Sequence, residues 1–249
     1  MYYQIVDTTV RIGGSMHQFP VDAKPPQWVC DAYKWSEDLY LEADLEEARK
    51  HILLPAGESL AQRLPPDLWT TLSTMWPGNH PNGVLWQQKP WVVMVWLGML
   101  GVVLRPGVEP FVVAHARAEA RVINYLETAI EFSRFMDMVS DAEYQKSFRL
   151  TLATDAPMRI KHSRDLYAAW IGGRVDAVMA VLERSPLAQL LEVQDVVFHQ
   201  RHLLWLPRII DTLRCDKRTL ILVGAGHLGG PTGVLALLRD AGVEYQLLL

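Results

Sequence analysis

Cysteine is nearly missing from this chain. Cys30 and Cys215 are its only two, too few and too far apart for a disulfide scaffold, and they read as small buried hydrophobes of a reducing compartment. Any run of Lys and Arg is missing too. With 24 basic against 28 acidic residues the net charge is -4, which leaves no electrostatic footprint for nucleic acid. Long apolar runs are also absent: the most apolar stretch, Trp91 to Leu104, is interrupted by Gly98 and Gly101 and falls short of the roughly 20 residues that cross a bilayer. It reads as a buried helix or an interfacial segment, not a transmembrane one. Residues 1–20 carry Asp7, Arg11 and His17 and lack the basic-then-apolar pattern of a signal peptide. The chain as given is therefore expected to be cytoplasmic, setting aside any leader already removed. Finally, Ser15 stands in Gly-Ser-Met-His and not in a G-x-S-x-G elbow, which argues against a serine hydrolase.

What the chain does have is enough apolar material for a full core. Half of its 249 residues are hydrophobic, within the range of one large domain. Residues 2–6 and 8–13 are short β-branched or aromatic runs that read as an opening pair of strands, followed by a helix from Gln27 to Ser36 and a strand at Leu39-Tyr40-Leu41. From about 45 to 113 the character changes. Prolines punctuate short helical candidates, and Trp69, Trp76, Trp86, Trp91 and Trp96 cluster there. This is the pattern of a Pro/Trp-rich helical insertion over one end of a sheet, its aromatics either packing helices or walling a pocket. Residues 122–126 are strand-like, though their neighbours also permit a helix. Helices follow at 128–139, 141–152, 166–182 and 200–213, then a buried-type strand at 219–223, a helix at 231–238 and a last strand from 243. Strand, helix and strand make a βαβ-sized unit, so part of the sheet should be parallel. The fold expected is one α/β domain over residues 1–249, with a central mixed, partly parallel sheet, flanking helices and the insertion.

The strand at 219–223 empties into Gly224-Ala225-Gly226-His227-Leu228-Gly229-Gly230. As G-x-G-x-x-G this would be a dinucleotide cradle, but too little chain follows to build the remaining strands of such a fold. As G-x-x-H it repeats Gly14-Ser15-Met16-His17, which also follows a strand-like run. In open α/β sheets ligand sites gather at the C-terminal ends of the strands, and neighbouring parallel strands would bring His17 and His227 together. Glu42, at a third strand end, adds a carboxylate. Two imidazoles and a carboxylate suffice for a catalytic divalent metal with open positions, whose bound water would attack a carbonyl. The plain alternative is that each His is a loop residue bonded to backbone, that Glu42 caps a helix and that Asp44 is solvated.

The runs Arg11-Ile12-Gly13-Gly14-Ser15-Met16-His17, Leu41-Glu42-Ala43-Asp44 and Leu126-Glu127-Thr128, together with Val223 to Leu228 and Gly230 and Gly233, resemble the TraB/GumN family, which is related to the Tiki metalloproteases. Lys89-Pro90-Trp91 and Gly107-Val108-Glu109 extend the likeness through the middle, so that it spans nearly the whole chain in order. The resemblance implies a metal and catalytic centre of His17, Glu42 and His227, with Glu127 as a carboxylate facing the site and Arg201 as a nearby cation. Where the family has Glu-Arg-Asn, this chain has Gln200-Arg201-His202. Arg201 would then bind a carboxylate or oxyanion.

Two functions follow as expectations. The first is a metal-dependent hydrolase acting on a peptide or a small-molecule amide, with a divalent cation (Mn, Co or Zn), His17 and His227 as ligands, and Glu42 as ligand or base beside Glu127 and Arg201. The rival is a non-catalytic ligand-binding or interaction protein with an aromatic cleft. The wider group includes haem-uptake-associated proteins, which places haem among the candidate ligands. A homodimer is the protein partner the Trp cluster would allow.

Overall fold

A left-handed Asp7, at φ 58°, turns the chain between β1 (Tyr2–Ile5) and β2 (Val10–Ser15), which pair antiparallel. The remaining strands, in chain order, are β3 (Gln18–Pro20), β4 (Asp38–Leu41), β5 (Leu104–Pro106), β6 (Ile123–Tyr125), β7 (Thr219–Gly224) and β8 (Tyr245–Leu247). This computed structural model describes residues 1–248. Six strands form one sheet in the order β6-β4-β7-β2-β1-β8, and β3 and β5 form a separate two-stranded ribbon.

The contacts β6-β4, β4-β7 and β7-β2 are parallel, while β1 runs antiparallel to both β2 and β8. The sheet is thus mixed and partly parallel. Every residue of β7 is buried, as an unbroken Leu-Ile-Leu-Val run requires of a central strand covered on both faces. The βαβ-sized ending departs in one respect from its simplest form: β8 does not lie next to β7 but crosses β2 and β1 to pair at the edge.

Around the sheet pack the helices Gln27–Trp35, Val108–Ala118, Val175–Leu182, Arg201–Thr212 and Val234–Asp240. Their inward residues, among them Val29, Val112, Val178, Trp205 and Leu238, join the strands in one apolar cluster. Each large side chain so buried contributes on the order of 1.5–3 kcal/mol. The single helix expected over 166–182 is two, Ala156–Ile171 and Val175–Leu182, because Gly173 takes φ 74° between them.

A second apolar cluster lies away from the sheet. Leu60, Leu72, Trp76, Trp91 and Trp96 of the Pro/Trp-rich region pack there with Met136, Tyr144, Phe148, Val193 and Val197. This helix-rich region therefore shares its core with helices from 129 to 200. Most of the tryptophans are helix packing: Trp76 and Trp96 sit 4.9 Å apart, and Trp91 meets Phe132 edge to face at 5.5 Å. No helix among the described residues is long and apolar enough to cross a membrane.

Candidate functional site at the ends of β2, β4 and β7

Parallel register sets the site. Ser15 of β2 lies opposite Gly224 of β7, and Tyr40 of β4 opposite Ile221, so His17, Glu42 and His227 all leave the sheet at its C-terminal edge, where Glu42 follows the last residue of β4. A Cβ built on Gly224 would lie 3.1 Å from His17 Nε2, 3.2 Å from Glu42 Oε1 and 3.3 Å from His227 Cδ2. Three side chains separated widely in sequence thus converge over one glycine. His227 Nε2 stands 3.6 Å from Glu42 Oε1, and His17 Nε2 4.0 Å from the same oxygen.

Glu42 is the hub of the cluster. Its Oε1 accepts the Gly224 N–H at 2.5 Å and its Oε2 accepts from Arg201 at 3.1 Å. Burial alone would raise its carboxyl, but the positive charge of His17 and of the Arg201 guanidinium, with the Gly224 N–H, holds it below the ordinary carboxylate value. Arg201 in turn is forked onto Glu127 and donates to the Val197 carbonyl at 3.1 Å. Its guanidinium lies 4.6 Å from the Trp205 ring centre, and Glu127 is sealed beneath it, fully buried.

Two residues missed by sequence reasoning complete the cluster. Glu109 Oε1 lies 2.9 Å from His17 Nδ1 and also takes the Ser15 hydroxyl, while its Oε2 is buried without a partner. The adjacent Glu109 carboxylate raises His17 to about 9, even though its side chain is 52% open to the space above the site. His202 is the other. Its Nδ1 lies 2.7 Å from the Thr232 carbonyl, and its Nε2 2.8 Å from His227 Nδ1. Burial lowers His202 to about 4 and pushes His227 well below the ordinary histidine value. With His227 neutral, the fixed cations acting on Glu42 are Arg201 and His17. The signals available in advance were Glu109 at the end of Gly107-Val108-Glu109 and His202 in place of the family's Asn; neither carried a role without coordinates.

Asp44 is the helix cap that Glu42 is not. It accepts from the backbone N–H groups of Glu46 and Glu47, which leaves Glu42 to the site. Arg201 and His202 are aimed by the preceding helix, whose residues Gln194–Gln200 are π-helical. A wider turn of this kind shifts the register of all that follows.

The expected metal centre does not hold. Among the described residues no group of three or more His, Cys, Asp and Glu side chains is disposed to hold a metal ion. The physical reason is charge already in place. Arg201 supplies a cation between Glu42 and Glu127, and Glu109 holds His17 protonated, so that its imidazole has no lone pair to offer a metal. The divalent cation, the metallohydrolase or metalloprotease-like activity and the ligand roles of His17, Glu42 and His227 fall with it. The paired G-x-x-H spacing marks two strand ends, not a ligand pair.

Above the cluster opens a cavity of about 820 Å³. Its walls come from the ends of β2 and β7, the helices Pro90–Met99, Asp141–Leu152, Ala156–Ile171 and Val175–Leu182, and the turn Pro186–Gln189. Methionine and aliphatic side chains dominate, including Met16, Met94, Met99, Met158 and Leu182. The aromatic contribution is Trp170 and Phe198, not the tryptophans of residues 69–96. His17 and His227 stand at one polar end, and Phe198 lies 4.7 Å from the His227 ring.

Fold and site together define an α/β protein with a polar cluster at its strand ends and a largely apolar cavity above it. By sequence the chain belongs to the TraB/PrgY/gumN family, whose model matches residues 5–246. No curated protein and no solved structure matches it.

Proposed function

We propose that this protein binds a small, largely apolar molecule in the cavity above the strand ends, without carrying out metal-dependent chemistry on it. The observation that carries this reading is the cavity itself: about 820 Å³, within the range of small-molecule sites, which pair apolar walls with a few polar groups. The methionines of its wall adapt to ligands of varied shape, and flat ring systems such as haem fall within that class. The buried Glu42-Arg201-Glu127 network underneath holds the polar end in place. The family match is to TraB/PrgY/gumN and carries no link to the Tiki metalloproteases, so nothing of their activity supports this reading. Cys30 is half-buried and Cys215 exposed, not the buried hydrophobes expected, and two free thiols fit a reducing, cytoplasmic setting.

Gly98 offers a clean test. It lines the cavity, and a Cβ added there meets nothing within 4 Å, so Gly98→Phe can be accommodated at its Cβ and places a ring at the cavity wall. As the glycine sits in the helix Pro90–Met99, the replacement should also stabilise the fold by a few tenths of a kcal/mol. Calorimetric titration with 2-naphthylacetamide, alongside mass spectrometry of molecules that co-purify, should show binding to the wild type and its loss in the variant. Equal binding by both proteins, or none by the wild type, would overturn the reading.

A further inference from the structure

The hydrogen-bond chain through His202 has a direction. The Thr232 carbonyl can only accept, so His202 Nδ1, 2.7 Å away, carries the proton of that contact. Burial keeps His202 neutral, with its value lowered to about 4. Its Nε2 is then a bare acceptor, and at 2.8 Å it takes the proton of His227 Nδ1. His227, itself buried and held neutral, is left with a bare Nε2. That lone pair faces Glu42 Oε1 at 3.6 Å, a pair of acceptors with no proton of their own to share.

We propose that His202 locks His227 in the Nδ1–H tautomer, so that the polar end of the cavity receives an uncharged head group rich in hydrogen-bond donors, with a primary carboxamide the best match. This rests on the cavity reading above and deepens it. His227 Nε2 and the second lone pair of Glu42 Oε1 would each accept one amide N–H. His17, whose Nδ1 is bound to Glu109 at 2.9 Å, turns its free Nε2 to the same space and donates to the amide oxygen. A carboxylate in that place would set its own lone pairs against two others and leave buried acceptors unpaired, which is what makes such sites selective.

The experiment uses three ligands of one body: 2-naphthylacetamide, 2-naphthylacetate and methyl 2-naphthylacetate. The amide should bind about tenfold more tightly than the acid or the ester, the worth of about one hydrogen bond well made. Long-range nitrogen–proton NMR of histidine-labelled protein should find His227 protonated at Nδ1 and bare at Nε2. His202→Phe, which removes the acceptor, should lose both that signature and the amide preference. His202→Asn, which can present a carbonyl to His227 Nδ1, should keep both. A proton on Nε2 in the wild type overturns the proposal, as does an acid that matches the amide in binding abolished by Gly98→Phe; should His202→Phe fail to fold, these wild-type results decide. If no naphthyl probe binds the wild type, the cavity reading falls and takes the ligand preference with it.

Discussion

At the scale of single residues, charge burial dominates. Arg201 is 3% exposed and joined to Glu127 and Glu42, so Arg201→Met would strand a buried carboxylate. The expected loss is about 3–5 kcal/mol, read by denaturant unfolding. Replacing the charge by Lys would recover little, since one ammonium cannot make the fork onto Glu127. His17 is the opposite case, half open to the cavity. Its value is raised to about 9, so the stability it adds is fully present below the unfolded value of about 6.5 and is lost as pH rises through about 9. Measured as the difference between wild type and His17→Asn, it should be no more than about 1 kcal/mol, because solvent screens the ion pair. A difference that grew with rising pH would contradict the pairing with Glu109. His17, Glu42, Glu127, Arg201 and His227 were all named as site candidates from the sequence and its family resemblance. Glu109 and His202 were not, because the first joins the cluster through its contact with His17 and the second through its contact with His227, both set by tertiary packing.

At the scale of elements, close backbone approach decides where the site residues go. A Cβ on Gly107 would collide with the backbone of Met16 and His17, and the Gly107 N–H donates to the His17 carbonyl at 3.0 Å. Gly107→Ala should therefore push the His17 segment away from the helix Val108–Ala118 that carries Glu109. We expect a loss of about 2 kcal/mol or more, together with the fall of the raised His17 value toward its ordinary range, as NMR titration would show. The long periodic helices and the buried β7 run could be read from the sequence, since apolar spacing depends on neighbours along the chain. The π-helical turn at Gln194–Gln200 could not, since nothing in its apolar spacing marks it; the break at Gly173 did carry a local signal, the pair Gly172-Gly173, which the apolar period across 166–182 obscured.

At the scale of the molecule, two apolar clusters share a single continuous segment. Val193, Val196 and Val197 belong to the cluster away from the sheet, and Trp205 and Ile209 to the one around it. The two should unfold together, so that fluorescence from Trp76, Trp91 and Trp96 and from Trp28, Trp170 and Trp205 gives one midpoint. Separate midpoints would show that the helical part is an independent unit. By itself, the sequence determined the class of fold, the strand ends at which the polar cluster gathers and the family, because hydrophobic period and glycine-histidine spacing are local properties of the chain. Only the tertiary structure decided what the cluster is. Whether two imidazoles and a carboxylate form a metal site depends on the charge brought in beside them, and here Arg201, from another part of the chain, already pairs with Glu42, while Glu109 holds His17 protonated.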